Sequence, residues 1–178
     1  MYCATFRAVK ELLSFPNPVN EKAARVVAGV VLATVVVVLL TTWYWLLIPL
    51  SYGFWARVLT GPRLSPLGWV AQNVVAPRLG KKRPVAGPPK RFAQGIGAVM
   101  STAALILAFV VSNQAADGVL IAFLPAAGLE SIFGYCLGCK LFGLLMRFGL
   151  VPESVCAECA DISLRLHVTA PTGSTPAS

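Results

Sequence analysis

Long apolar runs separated by short polar stretches dominate this 178-residue sequence. The first run covers residues 23–60, and Arg25 and Arg57 are its only charged residues. As a single helix it would be about 55 Å long, whereas the hydrocarbon core of a bilayer is about 30 Å thick. The run therefore predicts two membrane-spanning helices, at 23–42 and 44–59, joined by a turn with aromatic rings at the interface.

Two further apolar runs follow in the second half of the chain. Residues 93–111 carry no charge, and a short polar turn that includes Asp117 separates them from a run at 118–135. Pro125 within that last run predicts a kink. Together the four runs predict an all-α membrane protein with a four-helix transmembrane domain at 23–137.

The segments outside the four spans predict interfacial amphipathic helices. Ser65 followed by Pro66 is typical of a helix start, with the serine as N-cap and the proline in the first turn. Residues 138–160 are predicted to contain a second interfacial helix and the last two cysteines. Residues 1–22 are interpreted as a cytoplasmic N-terminal segment, and 161–178 as a disordered tail.

Composition supports lipid as the solvent for much of the chain. Mean hydropathy is +0.74, and only 12% of the residues are charged, against about 25% in soluble domains. The net charge of +8 does not favour nucleic-acid binding, because basic residues gather on the cytoplasmic loops of membrane proteins. With four spans, all fifteen Lys and Arg residues fall on one side, so both termini are predicted to be cytoplasmic.

Four of the five cysteines form two matched pairs after the last span, in the pattern C-x2-C-x16-C-x2-C: Cys136 and Cys139, then Cys156 and Cys159. If Cys136 and Cys139 continued the last helix, they would share a face with Cβ atoms about 5–6 Å apart. That separation is too long for an unstrained disulfide, for which about 3.8 Å is typical. Gly138 between them is predicted to let the backbone break and bring the thiols together.

Three interpretations of the cysteines stay open at this point. The spacing lies within the range typical of structural zinc sites, in which all four thiolates would bind one ion. Alternatively, the pairs carry out thiol redox or sulfur transfer, exchanging a disulfide or persulfide with each other or with a soluble partner. Cysteines also pack as small apolar residues without any chemical role.

Glu130 is the acidic residue within the last predicted span. A carboxylate inside a membrane is costly and is a functional hypothesis by default. Ala122, Ala126 and Gly134 lie on its face of the helix, and such small residues are suited to close helix contact. Glu130 is therefore predicted to face a neighbouring helix, either bonded to a serine or arginine there or handling protons or a ligand.

Several segments resemble a bacterial membrane protein family known only as a domain of unknown function. The most specific are RPVAGPPKRFAQGIG at 83–97 and LESIFGYCLGC at 129–139, supported by FPNPVNE at 15–21 and GPRLSPLG at 61–68. The resemblance implies a four-span, multi-pass protein of the bacterial inner (plasma) membrane. Members of the family often occur near thioredoxin-like and rhodanese-like proteins, which implies partners that handle thiols or sulfur.

These observations lead to three hypotheses for function. The leading one is an inner-membrane protein whose cytosolic CxxC pairs take part in thiol redox or sulfur transfer with thioredoxin-like or rhodanese-like partners. The second is a non-enzymatic membrane scaffold whose tail is held together by zinc. The third is a transporter for a sulfur-containing solute with Glu130 on the path, which four spans could form only as a homo-oligomer.

Overall fold

Helices account for most of the computed structural model, which describes residues 17–81 and 83–152. The main helices are α1 (Glu21–Thr41), α2 (Leu47–Thr60, after a 3-10 turn at Tyr44–Leu46), α4 (Gly87–Ile106, continued by a π-helical turn at Leu107–Val111) and α5 (Asn113–Gly128, continued by a π-helical turn at Leu129–Phe133). The shorter elements are α3 (Pro66–Val70, continued through turns at Ala71–Val75 and Ala76–Arg78), α6 (Leu137–Arg147) and the paired strands β1 (Val19–Asn20) and β2 (Pro84–Val85).

Three of the described helices are long and apolar enough to cross a membrane. They are Glu21–Thr41, Gly87–Val111 and Asn113–Phe133, so the structure fits the predicted all-α membrane protein. Helix α2 has 14 residues and is about 21 Å long at 1.5 Å per residue, shorter than a typical span. The count of four spans and the side of the termini stay predictions.

Side-chain contacts show which helix ends lie together. At one end of the bundle, Tyr44 donates a hydrogen bond to Asp117 Oδ1 at 3.0 Å, which joins the α1–α2 turn to the start of α5. At the opposite end, Arg25 binds the carbonyl oxygens of Ser131 and Ile132. The starts of α1 and α4 therefore lie beside the ends of α2 and α5.

Helix α4 begins at Gly87, six residues before the predicted start of the span at 93. Pro88 and Pro89 occupy its first turn, where proline fits because the first amide groups of a helix have no partner within it. Asn17 accepts a hydrogen bond from the Gly87 amide at 2.8 Å and ties this start to the strand that leads into α1. Lys90, which lies outside the predicted span at 93–111, consequently belongs to this helix and is buried inside the bundle.

The core lies where α1, α2, α4 and α5 meet, and α2 packs most extensively on α4. Phe54 of α2 is central, because its ring lies 5.7 Å from that of Phe123 and against the backbone of Gly97. A Cβ atom at Gly97 would overlap the Phe54 ring, so glycine at this position allows the close approach of the two helices. Buried aliphatic residues fill the rest: Val27, Val31, Val35, Val38, Leu47, Leu50, Ala98, Ala104, Leu120 and Ala127.

The predicted short helix after Ser65 is confirmed. Ser65 is buried and accepts a hydrogen bond from the Gly68 amide at 3.2 Å, as an N-cap does. Ser112 caps α5 in the same way by accepting from Ala115 at 3.2 Å. That cap starts α5 earlier than the predicted span at 118 and brings the polar turn into the helix.

Candidate functional site

A left-handed turn at Gly134 separates the long helix α5 from the cysteine segment. Gly134 has φ +70°, and its amide and that of Tyr135 donate to the carbonyls of Glu130 and Leu129 at 3.0 and 3.1 Å. Such a turn is a common helix ending that favours glycine. A Cβ atom here would also lie 2.8 Å from a carboxylate oxygen of Glu21. Helix α5 therefore ends before the cysteines.

Cys136 and Cys139 form a thiol pair at the start of α6. Cys136 has an extended backbone and is the N-cap of the helix, where its sulfur accepts a hydrogen bond from the Cys139 amide at 3.3 Å. The Cys139 thiol donates to the same sulfur, and the two Sγ atoms lie 2.6 Å apart. Both cysteines are free thiols.

This arrangement corrects the sequence interpretation of the pair. Cys136 does not continue the last transmembrane helix as an i, i+3 partner of Cys139, because the backbone breaks at Gly134 rather than at Gly138. Gly138 lies inside α6, where a Cβ atom would be 2.7 Å from the Ala93 Cα atom of α4. Its lack of a side chain lets α6 pack against α4 and fixes the position of the thiols.

Local electrostatics distinguish the two thiols. The hydrogen bond from Cys139 lowers the pKa of Cys136, and the Lys90 ammonium group acts in the same direction, while burial and the Glu130 carboxylate oppose it. The same hydrogen bond, followed by burial and repulsion from Cys136, raises the pKa of Cys139. A helix N-terminus also favours negative charge on Cys136. Cys136 is therefore the thiolate of the pair and Cys139 the proton-bearing thiol.

Glu130 pairs with Lys90, a partner that the sequence analysis did not name. Lys90 Nζ lies 2.5 Å from Glu130 Oε1, and the two side chains are only 7% and 18% exposed. Glu130 thus faces α4, as its small-residue face predicted. A signal was present in the sequence, because Lys90 lies at helical spacing from two small residues of α4, Gly97 and Ser101.

Arg57 adds a second buried cation near this pair. Only 5% exposed, it donates from Nε to Gln94 Oε1 at 2.9 Å and from Nη1 to Ser65 Oγ at 3.2 Å. Its guanidinium carbon lies 4.6 Å from the centre of the Phe54 ring. Within residues 17–81 and 83–152, its Nη2 atom has no hydrogen-bond partner. Two cations and one carboxylate leave this region one positive charge in excess, which a Cys136 thiolate would balance.

A cavity of about 370 Å³ reaches the thiol pair from between the helices. Residues of α1, α4 and α5 form its walls, together with Phe54 and the first turns of α6. Its polar lining residues are Gln94, Glu130 and Cys136, and the others are apolar or glycine. Cys136 faces this cavity and is 8% exposed, whereas Cys139 does not line it and is half-buried.

The second cysteine pair, Cys156 and Cys159, lies outside the described residues. In the described ranges no third histidine, cysteine or acidic residue joins Cys136 and Cys139 in a metal-binding group. Zinc binding therefore stays a prediction, as does the transporter hypothesis.

The fold and the site together define a helical membrane protein with a dithiol at the end of its bundle. The sequence matches the family described as Domain of unknown function (DUF4395) over residues 19–147. The chain therefore belongs to this family, and the matched region includes Lys90, Glu130 and the first cysteine pair. No curated protein and no solved structure matches the chain.

Proposed function

We propose that the protein is a membrane-embedded thiol–disulfide exchange protein whose redox pair is Cys136 and Cys139. The observation that carries this proposal is the position of Cys136 as N-cap of α6, with its sulfur accepting hydrogen bonds from both the amide and the thiol of Cys139. A cysteine at a helix N-terminus beside a cation has the thiolate character that exchange requires. Sulfur atoms 2.6 Å apart need little movement to form a disulfide.

The two cysteines have different roles in this proposal. In the oxidised pair, the thiolate of a soluble partner attacks the Cys139 sulfur, which is the more accessible of the two. The Cys136–Cys139 bond breaks, a partner–Cys139 disulfide forms, and Cys136 leaves as a thiolate stabilised by Lys90 and the helix start. A thiol of low pKa is the better leaving group. A second thiol of the partner then attacks the partner's sulfur atom in this mixed disulfide. The attack releases the oxidised partner and leaves Cys139 reduced.

The partner proposed is thioredoxin-like, because such proteins present two thiols in the geometry that this reaction needs. A rhodanese-like partner would instead deliver a persulfide sulfur to a cysteine, so sulfur transfer is the second form of the same proposal. Cys156 and Cys159 would exchange a disulfide or persulfide with the first pair as an alternative to the soluble partner.

The proposed setting is the bacterial inner membrane, with four spans and cytoplasmic termini. Support for a fourth span comes from α2, because Tyr44 just before it contacts Asp117 at one end of the bundle, while Val58 in its last turn accepts from Arg91 at the other. Leu137, Leu141 and Leu144 of α6 are exposed, which supports placing this amphipathic helix in the membrane interface.

Mapping a mixed disulfide tests the proposal. The protein, with Cys3, Cys156 and Cys159 replaced by serine, is oxidised and mixed with a thioredoxin that retains only its attacking cysteine. After acid quenching, peptide mapping should place the junction at Cys139 and recover Cys136 as a free thiol. Adding a persulfide donor to the reduced protein instead reveals sulfur transfer as a gain of one sulfur atom on a cysteine, with release of the donor as its thiol. If neither a junction nor a persulfide forms, the proposal fails.

A further inference from the structure

The cavity beside Cys136 has an amphipathic distribution of residues along its length. Gln94 and Glu130 line it near the thiol. Met100 and Phe123, six and seven residues further along the same helices, lie about 10 Å deeper at 1.5 Å per residue, where the walls are apolar. The volume of about 370 Å³ falls in the range of about 300–1,000 Å³ that is typical of small-molecule sites.

The surroundings restrict the chemical class of the occupant. The walls of the cavity belong to helices of membrane-spanning length, so a ligand that enters between these helices is lipid-soluble. Lys90 and Glu130 neutralise each other, and the Cys136 thiolate would balance Arg57, which favours a neutral ligand over an ion. Arg57 binds Gln94 through the amide oxygen, so the amide nitrogen is the polar end left to donate a hydrogen bond to a ligand carbonyl.

The redox pair requires an electron acceptor, and the cavity is the place from which one could reach Cys136. Each exchange with a dithiol partner leaves Cys136 and Cys139 reduced, and their return to a disulfide releases two electrons. Cys136 faces the cavity rather than the outer surface. A neutral, lipid-soluble carbonyl compound that accepts two electrons is a quinone.

We propose that this cavity binds the ring of a membrane quinone, which reoxidises the Cys136–Cys139 pair. The inference rests on the proposed thiol-exchange function and names its oxidant. In the balanced step, the Cys136 thiolate and the Cys139 thiol form an S–S bond and pass two electrons to the quinone. Its two carbonyl oxygens take up the Cys139 proton and one proton from solvent, giving the hydroquinone.

Quinone reduction by the purified protein provides the test. The full chain in detergent, with Cys3, Cys156 and Cys159 replaced by serine, is reduced, freed of reductant and mixed anaerobically with a fully substituted benzoquinone carrying a decyl chain. Full substitution leaves no open ring position for a thiol to alkylate. Loss of quinone absorbance should be saturable, and one Cys136–Cys139 disulfide should form for each quinone consumed.

A matched pair of variants shows whether the reaction occurs in the cavity. Ala126→Leu fills space in the cavity lining, whereas Ala122→Leu, one turn earlier on α5, adds the same atoms at an exposed position. Ala126→Leu should lower the rate at limiting quinone by about tenfold, equivalent to about 1.4 kcal/mol, and Ala122→Leu should not change it. Equal rates in the two variants would overturn the cavity assignment.

Two controls separate this inference from the function on which it rests. Exchange with a soluble aromatic disulfide reports the thiol pair alone and should survive in both variants. If exchange proceeds but quinone is not reduced, the quinone proposal fails and thiol exchange stands, whereas loss of both reactions in the parent protein overturns the proposed function. The dimethyl ether of the hydroquinone, with the same shape and no redox chemistry, should inhibit competitively, and an absence of inhibition would contradict a quinone-shaped site.

Discussion

Lys90 Nζ lies 2.5 Å from Glu130 Oε1 and joins the first turn of α4 to the π-helical end of α5. The pair lies directly beside the turn at Gly134 that sends the chain into the cysteine segment. It therefore contributes both to the packing of the helix ends and to the electrostatic environment of Cys136.

Removing one member of this pair should be more damaging than removing both. Glu130→Gln leaves the Lys90 ammonium group buried beside a neutral amide, and breaking a buried pair in this way costs about 3–5 kcal/mol. From the sequence alone the same substitution was expected to leave folding nearly intact, because glutamine preserves the shape and much of the hydrogen bonding of Glu130. The double variant Lys90→Met/Glu130→Gln should be destabilised by less than Glu130→Gln alone. Equilibrium unfolding in mixed micelles measures this, and strict additivity would argue against the pair.

Gly138→Ala should separate α6 from α4 and disturb the thiol pair. The new Cβ atom would lie 2.6 Å from the Ala93 Cβ atom, and strain of this kind typically costs about 1–3 kcal/mol. Gly143→Ala on the same helix is the matched control, because apart from its chain neighbours and its own helix backbone no atom lies within 4 Å of its Cβ position. There alanine should stabilise the helix by about 0.5–1 kcal/mol. Thermal unfolding and the rate of Cys136 alkylation should both distinguish the variants, and equal behaviour would contradict the packing described for α6.

The pH profiles of alkylation by iodoacetamide should be shifted to lower pH for Cys136 and to higher pH for Cys139. Because the pKa of Cys136 is lowered, its thiolate persists as the pH falls, and its rate should decline only below that lowered pKa. An ordinary thiol already loses reactivity below about 8.5. Cys139, with its raised pKa, should react slowly even at that pH. Peptide-resolved mass spectrometry gives both rates, and identical profiles would contradict the assignment of thiolate and thiol.

Substitution of Lys90, the cation beside Cys136, should change the alkylation rate of Cys136, and substitution of Lys140 is the matched control. Lys90→Met removes a positive charge that lowers the pKa of Cys136, so its alkylation at neutral pH should slow. Lys140→Met removes a charge that lies 5.3 Å from the centre of the Tyr135 ring and should have a smaller effect.

Membrane topology is tested by reporters fused after Ser178. Four spans with both ends cytoplasmic predict an active cytoplasmic reporter and an inactive periplasmic one. The reverse result would change the span count and place the cysteines on an oxidising face, where structural disulfides are favoured.

The apolar runs predicted the helices well, because twenty or so apolar residues have few alternatives to a spanning helix. Helix starts were less accurate, since the span was predicted from 93 although Pro88 and Pro89 are tolerated in the first turn of a helix. The spacing of Cys136 and Cys139 identified them as a candidate site. Their N-cap geometry was missed, because it depends on the left-handed turn at Gly134. Lys90 was missed because its burial results from contacts between distant helices. Arg57 was considered as a partner of Glu130, but it donates to Gln94 and Ser65.

The central claim is that Cys136 and Cys139 form a reversible redox pair, and a redox titration tests it most directly. The protein, with Cys3, Cys156 and Cys159 replaced by serine, is equilibrated anaerobically across buffers of reduced and oxidised dithiothreitol, and its thiols are then counted by alkylation and mass. One reversible transition is expected, in which both thiols disappear together with the slope of a two-electron couple. Thiols that stay reduced across the whole range, or that are lost independently, would contradict it.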